Sequence, residues 1–191
     1  MDLQDFFQRH LDSGADVTVA ATPVDREQAV GFGILQTDKK GHVDSFEEKP
    51  PLSRNIDHLR IPKELHPDEE QRAAGKEYLA SMGIYCFNAD AMEKALNNEL
   101  TDFGKEVIPS LIDSTEVSAY VFTGFWEDIG TIRSFYETNL NLASFKPDFN
   151  FYEEHSPIYT HRRDLPASKF NSCTLKEVLA ADGSIITDSD I

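Results

Sequence analysis

The sequence predicts an α/β fold built on a mixed sheet. Strand-like runs alternate with amphipathic helical ones, as in layered α/β domains. A tight hairpin and an irregular insertion interrupt that alternation, which argues against a purely parallel sheet. The character changes after about residue 144, where prolines and aromatics replace periodic segments.

Leu3, Phe6, Phe7 and Leu11 mark one face of a first helix, which Gly14 ends. Asp16 to Ala21 has strand character. Gly31 to Gln36 reads as a strand, Asp38-Lys39-Lys40-Gly41 as a tight turn with Gly at a left-handed position, and His42 to Phe46 as the returning strand. Residues 51–78 hold proline, histidine and charge, with a short polar helix around Asp68–Tyr78, and read as an inserted surface excursion. Ser81 to Phe87 suits a buried strand. Asn88 or Asp90 opens a helix through Leu96. Asp102 caps a further helix carrying Val107, Ile108, Leu111 and Ile112, which Pro109 shortens or bends. Val117 to Phe122 alternates as a strand. Trp126 to Ile129 reads as another, and Thr131 starts a helix with Ile132, Phe135, Tyr136, Asn139 and Leu140 on one side. Residues 145–172 read as an extended linker. From 173 to 191, Leu179, Ile185 and Ile191 fall six residues apart, the period of a left-handed parallel β-helix, of which only a start fits here.

The chain has 191 residues, 40% of them hydrophobic, enough for one substantial core. No apolar run approaches the ~18 residues of a membrane-spanning helix. The first residues carry acids and no apolar stretch, so they do not read as a signal peptide. Cys86 and Cys173 make no disulfide framework and read as small buried or half-buried thiols. A cytoplasmic setting fits these features. The formal net charge of -16 disfavours nucleic acid as a ligand, because phosphates require a basic stripe. A small anion needs a local cationic or metal-containing pocket against that field.

Few residues could build such a pocket. Trp126-Glu127-Asp128-Ile129-Gly130-Thr131 reads as a strand ending in a carboxylate, which in an open α/β sheet faces the ligand crevice and could hold a metal. It also reads as a plain strand-to-helix turn capped by Thr131. Glu48-Lys49-Pro50 ends the hairpin strand, where Lys49 could meet a phosphate as a point charge or simply be solvated. Gly31-Phe32-Gly33 is not a dinucleotide fingerprint; its glycine either admits a ligand or relieves crowding. Ser81 could donate to a sugar or phosphate oxygen. Asp102-Phe103-Gly104-Lys105 offers an acceptor and a second cation, or a helix cap and a surface lysine. Arg162, Arg163 and Lys169 are the remaining basic patch, for an anionic effector or for pairing with acids. No histidine has metal-ligand spacing, and no Ser-His-Asp motif is present.

Taken in order, five segments resemble the glucose-1-phosphate adenylyltransferases (ADP-glucose pyrophosphorylases). They are Phe32-Gly33, Phe46 to Pro50, Ala80 to Tyr85, Asp102 to Pro109 and Trp126 to Thr131. The linker agrees, with Phe151-Tyr152, Ser156-Pro157-Ile158-Tyr159-Thr160 and Leu165 to Lys169. The resemblance implies a Rossmann-like nucleotide-sugar-transferase sheet over 1–144, a linker over 145–172 and the first part of a β-helix over 173–191. It implies formation of ADP-glucose and pyrophosphate from ATP and glucose 1-phosphate with Mg2+, in glycogen or starch synthesis, by in-line attack of the sugar phosphate on the α-phosphorus of ATP. By the same comparison Gly33, Glu48, Lys49, Ser81, Tyr85, Asp102, Phe103, Lys105 and Trp126 would line the glucose 1-phosphate side. Asp128 would ligate Mg2+, and Asp128 and Lys49 would carry the catalytic roles. Homo- or hetero-oligomers, tetramers at full length, are expected of the family.

The family's Gly-rich, Arg-containing phosphate loop and its Gly-Asp-His metal segment do not occur in this sequence. The resemblance therefore implies an internal piece of such an enzyme, inactive alone, with apolar surface exposed where further strands would pack. Two alternatives accompany it: a sugar-1-phosphate nucleotidyltransferase using another nucleoside triphosphate, and a non-catalytic regulatory or assembly subunit.

Overall fold

A computed structural model describes residues 1–152, 154, 157–161 and 163–191. Ser156 of the linker motif and Arg162 of the basic patch lie outside the described residues. The chain divides into two units, Met1–Gly124 and Phe125–Ile191.

The first unit opens with helix α1 (Leu3–Ser13), capped by the Asp2 carboxylate, which accepts from the Gln4 N–H, and ended by Gly14 at φ 66. Five strands follow: β1 (Val17–Val24), β2 (Gly33–Thr37), β3 (Val43–Glu48), β4 (Tyr78–Phe87) and β5 (Val117–Val121). They form one mixed sheet in the order β3-β2-β4-β1-β5. Only β1 and β5 pair in parallel; the other contacts are antiparallel. The mixed α/β class is as the sequence predicts. The β2–β3 turn is a hairpin as expected, with Gly41 at φ 90 and the Asp38 carboxylate accepting from the Lys40 and His42 N–H groups.

Strand alternation sorts the side chains into two cores. Val17, Val19, Leu35, Val43, Leu79 and Val117 face one side and pack on Ala91, Ala95, Val107, Ile108 and Leu111. Those come from helix α3 (Ala89–Leu96), from a single π-helical turn at Phe103–Val107 and from the short helix α4 (Ile108–Ile112). The opposite face buries Ile34, Tyr78 and Ala80 against Ala29, Ile56 and Leu59. The 51–78 segment is thus more than a surface excursion: Ile56 and Leu59 are fully buried core residues. Its helix is shorter than expected, spanning Glu69–Ala73 (α2). On α1, Phe6 is buried while Leu3, Phe7 and Leu11 are exposed, so the apolar residues of that helix do not share one buried face.

The second unit holds helix α5 (Ile132–Ala143) and a short parallel pair, β6 (Lys169–Asn171) and β7 (Ile185–Thr187). Thr131 caps α5 through a reciprocal box with Ser134. Lys169 pairs with Ile185, Phe170 with Ile186 and Asn171 with Thr187, so the chain returns beside itself every sixteen residues. Ser172, Glu177, Gly183 and Asp188 have φ of 50, 55, 76 and 50 and mark the corners of this coil. The six-residue series is not its interior line. Leu179, Ile185 and Ile191 are exposed, whereas Cys173, Val178, Ser184 and Ser189 are half-buried. The corners fall at unequal intervals of five, six and five residues, so a strict six-residue period drifts off the inner face.

Among the described residues no helix is long and apolar enough to cross a membrane. Both cysteines are free, and burial raises the pKa of the Cys86 thiol.

Candidate functional site

Of the expected sugar-side residues, Gly33, Glu48 and Ser81 meet at one end of the first unit's sheet. Gly33 opens β2 and pairs with Glu48, the last residue of β3. On its other side β2 pairs with β4 through Ile34–Ala80 and Leu35–Leu79. That register, continued by one residue, sets Ser81 opposite Gly33. Glu48, Gly33 and Ser81 therefore form one row across three strands, on the same face as Leu35 and Leu79.

Beyond Ser81 the central strand is irregular. Val19 pairs with Tyr85 and Ala21 with Ser81, so three residues of β4 stand opposite Ala20 alone. Gly83, at φ 71, makes this bulge possible, and its N–H donates to Ser81 Oγ at 3.3 Å. A bulge bends its strand and re-aims the side chains next to it. Tyr85 stacks on Phe103 at a centroid distance of 5.9 Å, and Phe87 meets both rings edge-on. These aromatics fix the π-helical turn to the sheet.

That turn carries Asp102 at its start. Asp102 Oδ1 accepts from the Lys105 N–H at 2.8 Å, while Glu106 Oε2 accepts from the N–H groups of Thr101 and Asp102 at 2.9 and 3.0 Å. The two carboxylates cap the turn reciprocally, and the Thr101 and then the Asp102 N–H hold the Glu106 pKa below the usual glutamate range. Their spacing of four, instead of the three of a regular capping box, fits the wider π turn, in which the Val107 N–H reaches the Asp102 carbonyl. Asp102 thus opens a helical segment, as the sequence predicts, but its first turn is not α-helical. Pro109, which lacks an N–H, follows at the start of α4.

Glu48 lies between two glycines. A Cβ placed on Gly33 would be 2.9 Å from Glu48 Oε2, and one placed on Gly104 would be 3.6 Å from that oxygen and 3.6 Å from Asp102 Oδ1. The Gly33 Cβ would also be 2.0 Å from Phe46 Cζ, so neighbouring side chains by themselves require a glycine there. The Glu48 side chain is 25% exposed. Among the described residues its ion-pair partner is the Lys49 ammonium, at 3.8 Å from Oε1. The neighbouring Glu47 is held by Arg54 at 3.1 Å. Lys105 is exposed, and its ammonium forms no ion pair among the described residues. The first unit therefore sets Gly33, Glu48, Lys49 and Asp102 near one another, with Ser81 on the Gly33 row and the Tyr85–Phe103 stack and exposed Lys105 on the turn that Asp102 opens. A half-buried carboxylate with free acceptor capacity beside one lysine ammonium is suited to a polyhydroxylated anion.

Trp126 and Asp128 belong to the second unit. The expected strand at Trp126–Ile129 is not formed: the segment has no regular secondary structure and belongs to neither sheet. Asp128 is exposed in the turn before α5, with Oδ1 accepting from the Gly130 N–H at 3.1 Å. Magnesium takes several oxygen ligands in near-octahedral array. Asp128 offers one carboxylate, already turned to its own backbone, and no three His, Cys, Asp or Glu residues stand together as a metal group among the described residues. Asp128 by itself offers such an ion one carboxylate, with the remaining ligands to come from water or substrate oxygens.

Phe46, Gly104 and Glu106 are the contributors that single-residue reasoning missed. Glu106, following the Asp102 cap by one turn, carried the one readable signal. A family model for nucleotidyl transferase matches residues 1–144.

Proposed function

Because this chain belongs to the nucleotidyl transferase family, we propose that its first unit holds the sugar-phosphate side of a transferase that makes ADP-glucose and pyrophosphate from ATP and glucose 1-phosphate. Glu48 accepts hydrogen bonds from glucose hydroxyls. Lys49, with Lys105 nearby in sequence to the Asp102 cap, neutralises the sugar phosphate. Ser81 donates to an oxygen of the ligand, and the Tyr85–Phe103 stack forms an apolar wall for the sugar ring. In the reaction a phosphate oxygen of glucose 1-phosphate forms a bond to the α-phosphorus of ATP as the bond to pyrophosphate breaks. The residues of this unit orient the nucleophile and balance its charge, the main protein contribution in such transfers. The setting proposed is glycogen or starch synthesis in the cytoplasm, by an oligomer.

The observation that carries the reading is Glu48: a half-buried carboxylate, 25% exposed, beside Gly33 and Gly104, with no protein hydrogen-bond donor among the described residues. A sugar hydroxyl could replace water there with a charge-assisted hydrogen bond. Titration of the chain with glucose 1-phosphate, followed by NMR, tests it. The expected result is binding that weakens about tenfold in Glu48→Gln, the loss of one charge-assisted hydrogen bond. Binding no tighter than that of inorganic phosphate, or equal in Glu48→Gln, overturns it. Parallel titrations with mannose 1-phosphate and galactose 1-phosphate test the sugar.

A further inference from the structure

Glu48 and Lys49 are consecutive, and consecutive residues of an extended strand point to opposite faces. Glu48 shares its face with Phe46 and the Leu35 core, whereas Glu47 pairs with Ile34 of the opposite core. A regular continuation of β3 would send Lys49 to the Glu47 side. The backbone does otherwise: Lys49 has φ 47, in the left-handed region, and its N–H donates to the Phe32 carbonyl at 3.0 Å. Its ammonium then lies 3.8 Å from the Glu48 carboxylate. Two features make this conformation notable. A side chain with a Cβ is disfavoured in the left-handed region. The residue before a proline favours extended backbone, and Pro50 follows directly.

We propose that the left-handed backbone at Lys49 is a positioning device of the sugar-phosphate site: it breaks strand alternation so that one residue pair presents a hydroxyl acceptor and a phosphate cation to the same ligand. The inference rests on the sugar-phosphate reading above and adds the reason why adjacent residues can grip opposite ends of a sugar 1-phosphate. Pro50, buried at the strand end, is the second part of the device. It bars the right-handed helical alternative for Lys49, leaving extended backbone as the competitor of the left-handed one.

Two measurements test this. The first compares the melting of Lys49→Ala with that of Lys49→Gly. Both lack the ammonium, and only glycine relieves the strained φ, so Lys49→Gly should melt higher by about 3 °C. The second keeps the ammonium and frees the backbone. Pro50→Ala should bind glucose 1-phosphate about tenfold more weakly, because the competent conformer is diluted. Its affinity for glucose, which engages Glu48 alone, should stay that of the wild type. A merely structural role for Pro50 would weaken both ligands together. Pro50→Ala binding glucose 1-phosphate as the wild type does, or Lys49→Gly melting at or below Lys49→Ala, overturns the inference and leaves the sugar-phosphate reading standing. Failure of the wild-type chain to bind glucose 1-phosphate, with the melting difference intact, overturns the reading and with it the ligand role of the device.

Discussion

Replacing Gly33 by alanine probes the packing on which the candidate site stands. The added Cβ would sit 2.0 Å from Phe46 Cζ, 2.6 Å from Phe46 Cε1 and 2.9 Å from Glu48 Oε2. Carbon atoms in contact prefer about 3.5–4.0 Å, so the ring must retreat by about 1.5 Å or more. Phe46 packs against the core of Leu35, Val43 and Leu79, which resists that movement. Overpacking of this kind costs about 1–3 kcal/mol. Gly33 has no left-handed φ, so alanine also regains about 0.5–1 kcal/mol of backbone entropy. The net destabilisation is about 1.5 kcal/mol, a fall in Tm of about 3–6 °C. The sign depends on Phe46, and that gives the decisive comparison. In a Phe46→Ala background the clash is gone while the entropic gain remains, so Gly33→Ala should raise Tm there. Calorimetric melting of the wild type, the two single variants and the double variant reads the cycle. If Gly33→Ala lowers Tm equally in both backgrounds, Phe46 is not what demands the glycine.

Three further outcomes are expected. Glu106 has its pKa lowered by the Thr101 and Asp102 N–H groups, so its contribution to stability is present above the ordinary glutamate pKa and is lost as pH falls through the depressed folded value. The melting difference between wild type and Glu106→Gln should thus be constant near neutral pH and close only in acid; a gap that persists at the lowest pH would refute the cap. Tyr120, pushed up to about 12 by burial and by its hydrogen bond to Asp5 at 2.5 Å, should ionise last among the described tyrosines in an ultraviolet titration, and Asp5→Asn should lower its midpoint. A raised pKa means that its stabilisation is full below the ordinary tyrosine value and is lost as pH rises through about 12. Millimolar MgCl2 should leave the Tm of the chain unchanged, because Asp128 supplies a lone, partly engaged carboxylate; a concentration-dependent rise in Tm would show a metal site that this donor set does not contain.

The elements legible in the sequence are those whose signals are local. Gly14, Gly41 and Thr131 act through backbone conformation or a neighbouring N–H, and each punctuates the chain where expected. Signals that depend on distant partners were illegible. Trp126 to Ile129 has strand composition, but a strand exists only with a partner, and the segment has none in either sheet. Ile56 and Leu59 sit among prolines and charges, and only their packing on Ile34, Tyr78 and Ala80 of β2 and β4 makes them core residues. The site divides in the same way. Glu48, Ser81 and Asp102 could be suspected from their segments, but the row that aligns Glu48, Gly33 and Ser81 is a property of register across three strands.

The electrostatics of the chain sharpen what that row can do. A protein of formal charge -16 repels a sugar phosphate at long range, so any binding must come from short-range groups. Of the cations near the row, Arg54 is already paired with Glu47. Lys49 faces Glu48 at 3.8 Å, too far for a hydrogen bond and close enough for each charge to stabilise the other. An incoming phosphate would draw the ammonium away from Glu48, and the half-buried carboxylate would lose that partner unless a donor arrived with the phosphate. A sugar 1-phosphate brings both groups in one molecule, whereas inorganic phosphate brings no hydroxyl for Glu48. Discrimination between these two ligands should therefore collapse in Glu48→Gln, even if each is still bound. Discrimination that survives that substitution would place the source of selectivity outside the Glu48–Lys49 pair.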